Sequence, residues 1–237
     1  MQATMSVDDL PPSKLGTKQH WDDVYSNELT NFEEIGDEGE IWFGEDSVEK
    51  MVDWTVENVP ASLNPAILEV GSGNGALLFA LVEAGYNPSR ICGVDYSDDA
   101  IKLAKAIATT KGEEAEEIKF DACDFLTVFP EGLEKETGVD VWDLVLDKGT
   151  FDAMALAEKD REGKHPADAY PRRIAQVLRP GGHFLIVSCN FTEQELRAKF
   201  VNDVTGLKYH SRIPFPSFSF GGASGNQYSS IAVQKST

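Results

Sequence analysis

Basic residues are what this chain lacks most. Lysine and arginine total 21 against 40 aspartates and glutamates, for a formal charge of −19. That balance excludes nucleic acid as the main partner, because binding a phosphate backbone needs a basic footprint. Cysteine is scarce as well. Cys92, Cys123 and Cys189 form no C-x-x-C pair, which predicts free thiols in a reducing, cytoplasmic compartment and neither a disulfide nor a zinc site. No apolar run reaches the ~20 residues of a membrane span. Met1-Gln2-Ala3-Thr4 has neither the basic nor the apolar region of a signal peptide. There is no internal repeat. The 237 residues suit one domain, expected over 15–237 with an N-terminal arm over 15–60. Residues 1–14, with Pro11-Pro12, read as a disordered lead.

The acids that are present are unevenly placed. Eight carboxylates lie between Glu33 and Glu49, and no lysine or arginine occurs from Gln19 to Glu49. Such a stretch is either a solvated face that keeps the protein soluble or an electrostatic guide for a basic protein substrate.

From Ala66 onward, apolar runs and helical periods alternate. Strands are predicted at Ile67–Val70, Ile91–Val94, Ile118–Phe120, Val141–Leu146 and His183–Cys189. Helices are predicted at Ala76–Ala84, Asp98–Thr109, Ala169–Leu178 and from the Thr192–Glu195 capping box to about Asn202. Ahead of them, Lys18–Leu29 and Ser47–Asn58 read as arm helices, separated by an irregular acidic stretch. Leu207–Ile213 and Gln227–Lys235 read as strands with no helix between them, hence antiparallel. The expected fold is therefore α/β. It has a mostly parallel seven-stranded sheet, helices on both faces and a C-terminal antiparallel hairpin.

The chemistry gathers at predicted strand tips. Ile67-Leu68-Glu69-Val70 runs into Gly71-Ser72-Gly73-Asn74-Gly75 and then a helix. A loop without side-chain bulk lets a ligand touch the main chain at a helix N-terminus. The fit to G-x-G-x-x-G is loose, and no G-x-x-x-x-G-K-[ST] occurs. Asp95 follows Gly75 by twenty residues, where a carboxylate can hold ribose hydroxyls, and Ser97 is read as the cap of the next helix. Asp124-Phe125 follows the third strand, where an acid can accept from an adenine amine and a ring can cover the base. Three acids beside the loop would repel a pyrophosphate and suit adenosine attached to a cation. No tyrosine is followed four residues later by lysine, which leaves a Y-x-x-x-K reductase without its catalytic pair.

These segments, with Leu178-Arg179-Pro180-Gly181-Gly182, resemble the class I S-adenosylmethionine-dependent methyltransferases. Trp42-Phe43-Gly44-Glu45, Asp147-Lys148-Gly149-Thr150-Phe151-Asp152, His20 to Tyr25 and Phe218 to Gly222 resemble, more narrowly, the lysine methyltransferases of translation elongation factor 1-alpha. The resemblance runs from about Leu15 to Lys235 and implies a Rossmann-like methyltransferase fold. It implies S-adenosylmethionine as cofactor, held by Trp42, Glu69, Gly71, Gly73, Asp95, Tyr96, Asp124, Phe125 and Asp147, with no metal. Asp147 is implied as the catalytic residue near the target nitrogen. The partner implied is elongation factor 1-alpha, met by a monomer without nucleic acid or membrane. Trp21, Tyr25, Trp42, Phe43, Phe151 and Phe218 are the aromatic candidates for a lysine cage, and Pro214–Phe220 is expected near the site. A small-molecule methyltransferase and a non-catalytic module of the same fold are the alternatives.

Overall fold

The structure, a computed structural model, describes residues 10–133, 141–220 and 223–237. Of the lead expected over 1–14, residues 1–9 lie outside the described residues. Ser13 donates its N–H to the Leu156 carbonyl at 3.0 Å, so the docked chain begins ahead of the expected boundary at residue 15. Helix α1 (Lys18–Ile35) is capped by the Thr17 hydroxyl and runs past Leu29 to Gly36, which ends it in the left-handed region at φ 75°. Helix α2 (Gly44–Asn58) starts three residues before Ser47, whose hydroxyl donates to the Gly44 carbonyl from inside the helix.

The alternating part follows as β1 (Ile67–Val70), α3 (Ala76–Glu83), β2 (Ile91–Asp95), α4 (Asp98–Lys111), a short α5 (Glu113–Glu116) and β3 (Lys119–Ala122). It continues with β4 (Trp142–Lys148), α6 (Thr150–Ala155), α7 (Tyr170–Val177), β5 (Leu178–Ser188) and α8 (Glu193–Phe200). The chain closes with β6 (Leu207–Ser211), a small hairpin of β7 (Ser217–Phe220) and β8 (Ala223–Asn226), and β9 (Ser229–Lys235). The main sheet has seven strands in the order β3-β2-β1-β4-β5-β9-β6. β1 to β5 pair in parallel, and β9 is antiparallel to both β5 and β6. The expected architecture is therefore present. The differences are local: β3 starts one residue later and ends two later, β5 begins before its Pro-Gly-Gly turn, and α5, α6 and the β7–β8 hairpin were not expected.

Period-two alternation divides the core between the sheet's two faces. Ile67, Leu144, Leu146 and Leu185 face α2, α3 and α4, where Met51, Leu78 and Leu103 meet them. Leu68, Val145, Phe184 and Ile186 face α6, α7 and α8, where Phe151, Ile174 and Phe200 pack. Each such fully buried side chain stabilises the fold by roughly 1.5–3 kcal/mol before conformational entropy is counted. The strand order reverses between β1 and β4. Open parallel sheets bind ligands at such a switch point, outside the carboxyl ends of the strands.

Candidate active site

A cavity of about 360 Å³ opens at that switch point, within the ~300–1,000 Å³ usual for small-molecule sites. Its walls are the chain just after each strand: Val70–Asn74 after β1, Val94–Tyr96 from β2, Cys123–Leu126 after β3 and Lys148–Thr150 after β4. Helix α1 closes one side with Lys18, Trp21 and Tyr25, and the arm adds Trp42. The three α1 residues stand at i, i+3 and i+7, on one helical face. That spacing was the signal for Lys18, which was not expected here.

The glycine loop is shaped by its neighbours as well as by any ligand. A Cβ on Gly71 would lie 2.0 Å from Thr150 Oγ1, and one on Gly73 would lie 2.5 Å from the Tyr25 hydroxyl. Both glycines are left-handed, at φ 72° and 52°. Thr150 in turn donates from Oγ1 to the Val70 carbonyl at 2.7 Å. Loop, β4–α6 turn and α1 therefore lock together. Gly73→Ala is expected to displace Tyr25 and to weaken binding of the cofactor that the sequence resemblance implies, S-adenosylmethionine, about tenfold or more, a loss of ~1.4 kcal/mol, read by isothermal titration calorimetry.

Asp95 is buried, with 6% of its surface exposed, and bridges two loops. Its Oδ2 accepts the Gly73 N–H at 3.1 Å and its Oδ1 accepts the Ser97 N–H at 3.0 Å. Ser97 is the N-cap residue of α4, as expected, but its buried hydroxyl makes no capping bond and has no partner in the structure; the Asp95 carboxylate instead fixes the Ser97 N–H. Burial pushes Asp95 up to about 6, against the pull of these hydrogen bonds. Asp124 lines the cavity while its carboxylate accepts from Leu126 N at 3.1 Å and Thr127 Oγ1 at 2.9 Å, which caps the turn after β3. Phe125 also lines the cavity, its ring edge-on to Tyr170 at 5.6 Å. Tyr96 lies on the wall, with the Lys18 ammonium 5.4 Å from its ring centre.

Lys148 faces the cavity and donates from Nζ to the Trp42 carbonyl at 2.9 Å, which ties the arm to β4. Glu69 lies beneath it, 1% exposed and outside the cavity lining, with Oε2 lacking a hydrogen bond. Burial raises Glu69 to about 8 and lowers Lys148, and the attraction between the two opposes both shifts. Burial, then the negative charge of Asp95, holds the Tyr25 phenol well above its ordinary value, so it faces the loop as a neutral donor. The Trp42 ring meets Trp21 edge-on at 4.5 Å.

Asp147 stands apart from the sequence expectation. It is fully buried and does not line the cavity. Its carboxylate accepts from the Tyr170 hydroxyl at 2.6 Å, Thr150 N at 2.9 Å and Phe151 N at 3.1 Å. It holds the first turn of α6 and, through Thr150, the glycine loop. Burial raises it to about 7 despite these donors. Phe151 is also fully buried, in the core beneath α6. Among the other cage candidates, Phe43 stacks on Tyr228 at 4.7 Å, outside the cavity lining. The side chain of Phe218 lies outside the described residues.

The residues present suit an adenosine cofactor. The Ser72 hydroxyl, on the cavity wall, is buried and has no hydrogen-bond partner. Carboxylates stand at the tips of β2 and β3, and apolar Leu126 and Met154 offer a slot for a base. Among the described residues no cluster of side chains could hold a metal ion. A doubly wound sheet with this glycine loop and these acids defines the class: an α/β protein that binds an adenosine-bearing cofactor.

A methyltransferase-domain family model matches residues 62–232, so the chain belongs to the methyltransferase-domain family. It is 41% identical to the protein-lysine N-methyltransferase efm4 of Schizosaccharomyces pombe over 95% of both chains. It is 39% identical to EEF1A lysine methyltransferase 2 of Homo sapiens, covering 96% of this chain and 89% of that one. A magnesium protoporphyrin IX methyltransferase from Synechocystis, solved with bound S-adenosylmethionine, shares the fold at a TM-score of 0.55 and 17% identity, over 90% of this chain and 98% of that one. Its near full-length relatives place the chain, within that family, among the protein-lysine N-methyltransferases.

Proposed function

We propose that this enzyme methylates a lysine of translation elongation factor 1-alpha. The observation that carries this reading is the near full-length likeness to enzymes named for that substrate. The acidic arm beside the cavity supports it, since it offers a basic protein surface an electrostatic guide. The protein works as a cytoplasmic monomer and binds no nucleic acid. The absence of a basic footprint in its composition supports the last point.

S-adenosylmethionine supplies an electrophilic methyl group on a sulfonium. Asp95 holds the ribose, and Asp124, Phe125 and Leu126 receive the adenine. Gly71, Ser72 and Gly73 receive the amino-acid end, with Lys148, Tyr25 and Tyr96 on the same wall. Glu69 balances Lys148 from below. The enzyme's contribution is alignment of nucleophile and methyl carbon, which can supply much of the barrier reduction.

The target lysine must first lose a proton, which passes to water, from an ammonium of pKa about 10.4. Trp21 and Trp42 offer it an aromatic wall, where burial favours the neutral amine. Aromatic faces also attract the cationic methylated product. Asp147 acts as a positioning residue, because its carboxylate is already filled by three donors away from the cavity.

Incubation of purified elongation factor 1-alpha with labelled S-adenosylmethionine and the enzyme tests the proposal. One lysine of the factor acquires label, as read by tandem mass spectrometry. An enzyme that binds cofactor yet labels no lysine of the factor would overturn it.

A further inference from the structure

A second concavity lies outside the cofactor site. Helices α2 and α3 pack side by side, and a groove of about 480 Å³ runs along them. Ile41, Val52 and Phe79 form its floor, while Glu45, Glu49, Asp53 and Glu83 stand exposed on its rim. Glu45, Glu49, Val52 and Asp53 recur at i, i+4, i+7 and i+8, so α2 turns one apolar and acidic face to the groove.

The rim carboxylates are unneutralised. None of the four forms an ion pair among the described residues, whereas Asp46, outside the groove, pairs with Lys50. Like charges four residues apart, as at Glu45 and Glu49, weaken a helix when nothing neutralises them. The groove already accommodates one cation of its own. Lys111, at its edge, lies 3.4 Å from Glu38 and 5.5 Å from the centre of the Phe79 ring. A lysine stem suits such an apolar floor while its ammonium stays at a charged rim.

The groove also adjoins the cofactor site. Between α1 and α2 the arm turns Glu40 and Trp42 to the cavity, and Glu38 and Ile41 to the groove. Asn74, on the cavity wall, donates to the Glu38 carbonyl at 3.0 Å and fixes that partition.

We propose that this groove docks the protein substrate, through a segment in which lysine or arginine side chains flank one or two apolar ones. The inference rests on the substrate reading above. It places a recognition surface apart from the lysine that reacts, so it acts on KM for the protein and not on kcat.

The test is the double variant Glu49→Lys/Asp53→Lys, both positions being exposed, assayed with intact elongation factor 1-alpha. KM for the factor rises at least tenfold, while kcat and the dissociation constant for S-adenosylmethionine stay at wild-type values. Added salt raises KM for the wild type and affects the variant much less, because the charges are screened within ~8 Å at physiological ionic strength. The neutral pair Glu49→Gln/Asp53→Asn shifts KM in the same direction by less. An unchanged KM in folded, active variants overturns the docking site and leaves the substrate reading intact. A wild-type enzyme inactive on the factor removes both.

Discussion

Replacing Asp95 by alanine raises the dissociation constant for S-adenosylmethionine at least 100-fold. The side chain does two jobs at once. It accepts the Gly73 and Ser97 N–H groups, and we assign it the ribose. Hydrogen bonds to a charged acceptor contribute about 1.5–3 kcal/mol each. Losing the ribose contact and loosening the Gly73 turn together exceed the ~2.7 kcal/mol that 100-fold requires. Calorimetric titration of folded variant reads the change, and unchanged affinity would sink the assignment. The wild type adds a pH signature. With the free carboxyl at about 6, affinity weakens as pH falls through about 6, where protonation must be reversed before the ribose is held.

Asp147→Ala has the second largest expected effect, and it falls on stability. The substitution leaves the Tyr170 hydroxyl and the Thr150 and Phe151 N–H groups facing a fully buried gap. Unsatisfied buried donors cost roughly 1–3 kcal/mol each, so a total of about 3–5 kcal/mol is expected with partial relaxation. For a domain of this size that lowers Tm by roughly 6–20 °C. Binding of S-adenosylmethionine weakens as well, through Thr150 and the Val70 carbonyl it holds. Below the new Tm, kcat at saturating cofactor falls no more than about tenfold, whereas a group that takes a proton in the reaction commonly contributes 10²–10⁴-fold. A stable variant with kcat reduced a thousandfold would restore Asp147 to the chemistry.

Much of this frame was legible in the chain because its signals were local. β1 matches its predicted span because four apolar-run residues stop at a glycine, and α8 matches closely because Thr192 and Glu195 complete a capping box. What escaped the sequence was decided by tertiary contact. Helix α6 hides behind the Asp147-Lys148-Gly149 run, and its six residues hold their first turn through a carboxylate on the preceding strand. The β7–β8 hairpin lies in a segment whose prolines and glycines read as loop. At the site, the positions of Asp95, an acid ending an apolar run, and of Asp124, three residues beyond a short strand, were visible in the sequence. The direction of the Asp147 side chain was not, because period two along a strand does not tell which face holds Tyr170.

Methyl transfer to a lysine of elongation factor 1-alpha is read by mass spectrometry of that factor, isolated from cells with this gene intact, deleted, and restored with either wild type or Asp95→Ala. One lysine is methylated in the intact and wild-type-restored cells and unmethylated in the other two. Identical methylation of the factor in all four would contradict it.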